Sequence, residues 1–154
     1  MGASEEQLVG LAQGWSALGA LHSRIETKIE KVLQRDHGLS AREYSVLDVL
    51  NQQDDFHLRM NQLADMVVLS QSATTRLVTR LEERGLLSRY LCATDRRGIY
   101  TEVTPAGREL LEQARPGYQA GLREALDEAA RKRPELAPLV SAVEQLEVPA
   151  RAGV

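Results

Sequence analysis

The sequence contains one cysteine, Cys92, in 154 residues, which excludes an internal disulfide and a cysteine-rich zinc site. Aromatic residues are also few, with one Phe, one Trp and four Tyr, so Leu, Val and Ala must supply most of the apolar burial. No run of 18 uncharged apolar residues occurs, and the N-terminus lacks the basic and apolar segments of a signal peptide. These absences predict a mainly helical, cytoplasmic protein with no membrane association, no metal and no other cofactor.

The chain is long enough for a hydrophobic core, because 43% of its residues are hydrophobic. We therefore predict a single domain over residues 1–154. The net charge is −3, but residues 58–100 hold seven arginines against four acidic residues, a local charge of +3 that leaves −6 for the rest. A basic segment in an acidic chain is typical of a protein that binds a polyanion through one region.

A long helix is predicted over residues 5–36, ahead of this basic region. It begins with a capping box at Ser4–Gln7, continues through apolar residues spaced by three and four, and ends before Gly38. About 30 helical residues span about 45 Å, which is more than one small domain can cover. Part of the apolar stripe is therefore expected to contact a second subunit, and we predict a homodimer.

Further helices are predicted over residues 104–147, after the basic region. Thr104-Pro105 is a strong helix start, because a capping hydroxyl is followed by proline at the first helical position. Pro116-Gly117 should kink or interrupt this helix, and Pro134 should begin a last short one. Together with residues 5–36, these segments are predicted to form the dimer contacts.

Between these segments the pattern predicts three shorter helices. Ser40–Glu43 is a second capping box, and the helix it begins is followed by a polar loop at residues 51–56. A third helix starts at about Met60. Ser70 is the predicted N-cap of a fourth helix over Gln71–Arg84.

After Gly85 the apolar spacing changes from helical to alternating, in segments at 87–91 and 99–103. The polar turn at 93–98 joins them into a two-stranded hairpin. A helical pair followed by such a hairpin is typical of a winged helix-turn-helix. The predicted fold is mainly α with a small β-hairpin wing, with the winged-helix lobe at about 58–103 and dimerisation helices at both ends of the chain.

The fourth helix carries the side chains on which the functional prediction rests. Its leucine stripe faces inward, and the opposite face presents hydroxyl, amide and guanidinium groups, the types that contact base edges and phosphates of double-stranded DNA. An ordinary solvated face, the alternative, would more often carry Glu and Lys. The predicted DNA-contacting residues of this helix and its cap are Ser70, Gln71, Ser72, Thr75, Arg76, Thr79 and Arg80.

The hairpin turn carries two further predicted DNA contacts, Arg96 and Arg97. A guanidinium group is weakly hydrated and fork-shaped, so it suits a narrow minor groove. Asp95 can accept hydrogen bonds from Arg97 or from turn amides, and its predicted role is to hold the loop in shape.

These segments resemble the MarR family of regulators, from about Leu8 to Leu146. The most specific part is Asp95-x-Arg97 followed by Val103-Thr104-Pro105-Ala106-Gly107. Thr101 and Val103 stand where the family more often has Val and Leu, a mild departure that a strand tolerates. The other matching segments are Gly38–Ser40, Tyr44–Leu47, Leu63-Ala64, Ser72–Val78 and Leu81–Leu86.

The resemblance implies a homodimer with two wings flanking a palindromic operator, acting as a repressor relieved by a small ligand. In many relatives a small aromatic or carboxylate effector binds between the dimer helices and the DNA-binding lobe. Trp15, His22 and Tyr44 are the candidate effector-binding residues here. The alternative is that Trp15 packs in the dimer core and His22 is simply exposed.

Three other hypotheses compete with a ligand-relieved regulator. Cys92 would serve a redox-responsive regulator if its thiol were exposed and acidic, although a buried inert thiol is expected near the wing. A winged helix used as a protein-interaction module without DNA would suit the acidic flanks, but this chain keeps basic residues in its wing. An enzyme is not predicted, because His22, His37 and His57 lie in separate segments and no nucleophile elbow or Gly-rich phosphate loop occurs.

Overall fold

The computed structural model describes residues 2–91, 93–94 and 98–148. These residues form mostly helix with a small antiparallel sheet, so the predicted fold class is confirmed. In chain order the elements are α1 (Glu5–His37), α2 (Ala41–Asn51), a 3₁₀ turn (Asp54–Phe56), β1 (His57–Arg59), α3 (Met60–Val67), α4 (Gln71–Glu83), β2 (Leu87–Leu91), β3 (Ile99–Val103), α5 (Pro105–Lys132), a second 3₁₀ turn (Pro134–Leu136) and α6 (Ala137–Gln145).

The described chain divides into two compact units. The helical unit consists of residues 2–32 and Gly117–Val148, and the winged-helix unit consists of Leu33–Pro116. In the helical unit, Leu21 packs in one buried cluster with Leu126 and Leu136. The largest fully buried side chains of the winged-helix unit include Leu47, Leu63, Leu81 and Leu111.

Capping residues fix the start of α2 as the sequence predicts. The Glu43 backbone N–H donates to Ser40 Oγ at 3.0 Å, and the Ser40 N–H donates to Glu43 Oε1 at 2.8 Å. Each bond satisfies a backbone donor that the first helical turn would leave unpaired. Gly38 separates α1 from this cap with a φ of +62°, a conformation that glycine adopts without steric cost.

The sheet has three strands in the order β1-β3-β2, all antiparallel. The hairpin strands lie at the predicted residues, but β1 was not predicted and adds a third strand. Residues 51–56 are also not a plain loop, because α2 includes Asn51 and Asp54–Phe56 forms a 3₁₀ turn. A strand of three residues is too short to show an alternating pattern in the sequence. Strand β1 is held by its pairing with β3, in which Arg59 pairs with Tyr100, 41 positions later in the chain.

Helix α5 continues through Pro116, so of the two predicted outcomes the interruption is wrong, and the kink stays a prediction. Proline removes one backbone hydrogen bond inside a helix, leaving the carbonyl of Glu112 without its N–H donor. Both residues lie on the exposed side of α5, where water can reach that carbonyl.

Although α1 and α5 are long, neither they nor any other helix of the described residues combines the length and apolar character that crossing a membrane requires.

The two units expose large apolar side chains to different extents. Among the described residues, the winged-helix unit exposes three: Val68, Leu91 and Ile99. The helical unit exposes eight, all in α1 or at the C-terminal end of the described chain: Leu8, Val9, Leu11, Trp15, Leu18, Val143, Leu146 and Val148. The N-terminal half of α1 thus carries an apolar face that its own unit leaves uncovered.

Candidate nucleic-acid interface

Helix α4 is held by its cap and by one buried face. Ser70 Oγ accepts the backbone N–H of Ala73 at 3.1 Å, and the Thr74 hydroxyl donates to the Ser70 carbonyl at 2.9 Å. Thr74, Leu77 and Leu81 are buried along one side of the helix. The cap and this apolar contact fix which side of α4 faces outward.

The outward side of α4 is polar and contains no acidic residue before Glu82. Thr79 is half-buried, and the exposed residues on this side are Gln71, Ser72, Thr75, Arg76 and Arg80. Neither Arg76 nor Arg80 forms a hydrogen bond or ion pair with another described residue, so both guanidinium groups are available for an external anion. We call these five residues, with Ser70 and Thr79, the α4 polar face.

The threonines of the α4 polar face are already bonded within the helix. Thr75 Oγ1 donates to the Gln71 carbonyl at 2.9 Å, and Thr79 Oγ1 donates to the Thr75 carbonyl at 2.8 Å. Each hydroxyl therefore has its hydrogen engaged, while the oxygen lone pairs and the methyl group remain outward. The sequence predicts hydroxyl donors here, and the structure shows acceptors.

Glu82, near the end of α4, pairs with Arg89 of the wing. Arg89 Nη2 donates to Glu82 Oε1 at 3.0 Å, and the Arg89 backbone N–H donates to Glu82 Oε2 at 3.0 Å. The side-chain hydrogen bond from Arg89 holds the pKa of Glu82 below its ordinary value, despite the opposing effect of partial burial. This pair joins the end of α4 to the middle of β2.

Arg84 has a structural partner as well. Its Nη1 donates to the Gly38 carbonyl at 2.8 Å and lies 3.9 Å from Glu43 Oε2. Arg84 and Arg89 therefore link elements of the winged-helix unit, whereas Arg76 and Arg80 of the α4 polar face have no such partner among the described residues. A count of charges in the sequence cannot make this distinction, because it gives no partners.

The base of the wing is a polar-aromatic cluster on one side of the sheet. Tyr90 and Tyr100 stack with ring centroids 5.8 Å apart, and the Tyr90 hydroxyl lies 2.9 Å from His57 Nδ1. Arg59 Nε donates to the Tyr100 hydroxyl at 3.0 Å. The Arg59 side chain also lies beside Gly98, the residue directly before β3. These contacts join all three strands at the point from which the wing extends.

The predicted residues at the tip of the wing, Asp95, Arg96 and Arg97, lie outside the described residues, as does Cys92. Their roles stay predictions. The flanking strands are described, and their last cross-strand pair, Leu91 with Ile99, is exposed.

Comparison with known proteins agrees with this geometry. The model of a family described as the MarR family matches residues 37–98, the segment from the end of α1 to the first half of the wing. The solved structure of Sco3205, a MarR-family transcriptional regulator from Streptomyces coelicolor in complex with DNA, is 28% identical, covers 96% of each chain and has a TM-score of 0.69. The chain is similar to MarR-family regulators. The predicted resemblance is confirmed, and the relatives it matches are transcriptional regulators rather than enzymes.

Two other relatives give the extent of the match. The transcriptional regulator BldR from Sulfolobus solfataricus is 25% identical, with 95% of this chain and 100% of that chain covered and a TM-score of 0.71. The HTH-type transcriptional regulator MhqR of Bacillus subtilis is 34% identical over 88 residues. That segment covers 57% of this chain and 59% of MhqR, less than two thirds of that protein.

The three candidate effector-binding residues have different surroundings. Trp15 is 73% exposed on α1, and His22 is an exposed residue whose Nε2 lies 3.9 Å from Glu26 Oε1. Tyr44 is 3% exposed, inside the core of the winged-helix unit. No described contact joins Trp15 or His22 to a ligand-sized cavity, and their role as effector contacts stays a prediction.

Sequence reasoning missed His57 and Arg59, because both belong to the unpredicted strand β1. The signal that would have found them is the pair of tyrosines, Tyr90 and Tyr100, which occupy matching positions on the two hairpin strands. Two aromatic side chains on the outer side of a hairpin need neighbours to cover them. The preceding His-Leu-Arg segment is the nearest sequence that supplies a third strand.

Proposed function

We propose that this chain is a MarR-family, sequence-specific DNA-binding transcriptional regulator in which α4 enters the major groove. The α4 polar face carries this proposal, because it combines amide and guanidinium donors with no acidic residue and lies opposite a buried apolar side. A relative at 28% identity, Sco3205, was crystallised in complex with DNA. The residues from Ser70 to Arg80 that the sequence predicts to contact DNA are retained in this proposal, with Thr75 and Thr79 as acceptors instead of donors.

Different residues of the face have different tasks. Gln71, Ser72 and Arg76 lie in the first two turns, which enter a groove most deeply in a helix-turn-helix, and they are assigned to base edges. Arg80 lies a turn further on and is assigned to phosphate. Arg96 and Arg97 of the wing are assigned, on their sequence, to the adjacent minor groove, with Asp95 shaping the turn.

The regulator acts as a homodimer in this proposal. Leu8, Leu11, Trp15 and Leu18 are exposed along α1, as are Val143 in α6 and Leu146 directly after it. Monomeric proteins rarely expose so continuous an apolar face, whereas subunit interfaces bury one. A two-fold dimer presents two α4 helices, so the operator is a palindrome with half-site centres about 10 base pairs apart.

Repression, relief by a small aromatic or carboxylate effector and location in the cytoplasm complete the proposal. Repression and relief by an effector rest on the family resemblance, and the cytoplasmic location rests also on the single cysteine. Trp15, His22 and Tyr44 remain the residues to vary once an effector is found, and DNA and effector must weaken each other's binding by the same factor.

The test is selection of duplexes from a random-sequence pool by the purified protein, followed by footprinting. We expect an inverted repeat with two protected major-groove patches. Arg76→Ala should reduce discrimination between the selected duplex and a scrambled one by about 1–3 kcal/mol. Arg96→Ala should weaken binding to both duplexes. It should also reduce, by about 1, the slope of the logarithm of the binding constant against the logarithm of the salt concentration.

Arg131→Ala is the matched control, because Arg131 is an exposed arginine of the helical unit. It should leave discrimination unchanged. Failure of the wild-type protein to bind any duplex at low salt would instead favour the protein-interaction module. A single asymmetric protected half-site would contradict the dimeric arrangement.

A further inference from the structure

Val68 is held in an unfavourable backbone conformation without a compensating contact. Among the described residues, three that are not glycine have positive φ: Asp55, Phe56 and Val68. Aspartate tolerates this region, and the Phe56 ring lies against the Arg108 guanidinium, with 4.3 Å between the ring centroid and Cζ. Val68 is β-branched, a residue type for which positive φ is a genuine outlier, and its side chain is 85% exposed.

The backbone conformation at Val68 follows from the way α3 ends. The Leu69 N–H donates to the Ala64 carbonyl at 3.0 Å, and the Val68 N–H donates to the Asp65 carbonyl at 3.2 Å. This closure requires a left-handed residue between the two bonds, a position at which glycine is the usual choice. The fold therefore needs the backbone of Val68 but gains nothing from its side chain, which is both strained and exposed to water.

The position of Val68 indicates what covers this side chain. It lies in the turn of the helix-turn-helix, two residues before the cap of α4 and directly ahead of the exposed Gln71 and Ser72. The main apolar group that B-DNA presents in its major groove is the C5-methyl of thymine. We propose that Val68 is a specificity-determining residue that packs against a thymine methyl group, an inference that rests on the proposed entry of α4 into the groove.

The first arm of the test compares stability and DNA affinity. The probe is the highest-affinity duplex that the wild-type protein selects from a random pool. Val68→Gly should raise Tm by about 2–4 °C by relieving the strain, yet bind the duplex about three- to tenfold more weakly. Val68→Ala should lose affinity to a similar extent, and because it keeps a Cβ, new backbone freedom cannot explain its loss.

Asp55→Gly is the control for a substitution at positive φ, since Asp55 has a φ of 57° but lies in the 3₁₀ turn before β1. It should leave DNA affinity unchanged. If Val68→Gly and Val68→Ala bind as tightly as the wild-type protein, Val68 contacts no DNA and the inference is wrong.

The second arm replaces thymines of the selected duplex by uracil, which lacks the methyl group. One such replacement in each half-site should weaken the wild-type protein about three- to tenfold and should not weaken Val68→Ala further. Equal weakening of both proteins, or of neither, overturns the thymine contact. If the wild-type protein selects no duplex at all, the proposed function fails together with this inference, whereas a normal wild-type selection with unaffected Val68 variants removes the inference alone.

Discussion

The winged-helix unit and the helical unit differ in how completely they bury their apolar residues. Of the described residues, the winged-helix unit exposes three large apolar side chains and the helical unit exposes eight. Burial of apolar surface is the main favourable contribution to folding, so the first unit completes its core from its own chain. The second leaves an apolar face of α1 exposed, and this is the face that the proposed dimer would cover. One unit therefore presents a polar face and the other an uncovered apolar one.

The largest effect is expected from a change that breaks the winged-helix unit where it is most tightly packed. A Cβ added at Gly107 would lie 2.2 Å from the Leu86 carbonyl oxygen and 2.8 Å from Val103 Cγ2. The first neighbour is backbone and cannot move aside cheaply, so Gly107→Ala should cost about 3–5 kcal/mol of unfolding free energy. Urea unfolding followed by circular dichroism measures this loss.

Gly117→Ala is the matched control in the same helix. Its added Cβ would lie 3.5 Å from Val32 Cγ1, an ordinary contact, and the higher helix propensity of alanine should stabilise the protein by about 0.5–1 kcal/mol. Equal stabilities of the two variants would show that the structure around Gly107, where β2, β3 and α5 meet, can accommodate a Cβ, and would contradict the prediction.

A smaller effect is expected from a change in the exposed face of the helical unit. Trp15→Glu places a charge in the proposed dimer contact and should weaken dimerisation by about 2–3 kcal/mol, which is about 30- to 150-fold. Sedimentation at micromolar concentration should show a dimer for the wild-type protein and a 17.1 kDa species for the variant. Gln13→Glu, also exposed on α1, should remain dimeric. A wild-type protein that sediments as a monomer would show that the exposed apolar face of α1 is not a subunit contact.

The smallest effect concerns the ion pair between Glu82 and Arg89. The pKa of Glu82 is lower in the folded protein, so its contribution is complete above the unfolded-chain value of about 4.3 and is lost as pH falls through the folded value. The Glu82 side chain is 36% exposed, and solvent screening limits this contribution to about 0.5 kcal/mol. Glu82→Gln should therefore be less stable than the wild-type protein at pH 7 and equally stable near pH 3. Glu83→Gln should show no such difference at either pH.

Local signals in the sequence were sufficient for most of the helices and for the wing. The Ser40–Glu43 capping box, the Ser70 cap and Thr104-Pro105 each act within one turn, and all three mark the helix starts seen in the structure. The α4 polar face could also be predicted, since it follows from helical spacing. Helix α4 ends one residue earlier than predicted, at Glu83, and Arg84 is its C-cap.

What the sequence could not supply depends on contacts between distant positions. Strand β1 exists through its pairing with β3, and the bond of Arg84 to Gly38 spans 46 positions. The passage of α5 through Pro116 depends on where that residue lies around the helix, which decides whether water reaches the carbonyl that proline leaves unpaired. Local rules treat such residues one at a time, so they cannot distinguish an arginine with a structural partner from one without.

The internal hydrogen bonds of Thr75 and Thr79 restrict the chemistry that α4 can recognise. A phosphate oxygen accepts hydrogen bonds only, so neither hydroxyl can contact the DNA backbone without giving up its bond to the helix. A base amino group, in contrast, can donate to the free lone pairs, and a methyl group can pack on the threonine methyl. The hydrogen of each hydroxyl is already removed from water, so less hydration is lost when the helix is covered. In the proposed complex these two threonines would therefore suit adenine or cytosine amino groups and the thymine methyl better than phosphate.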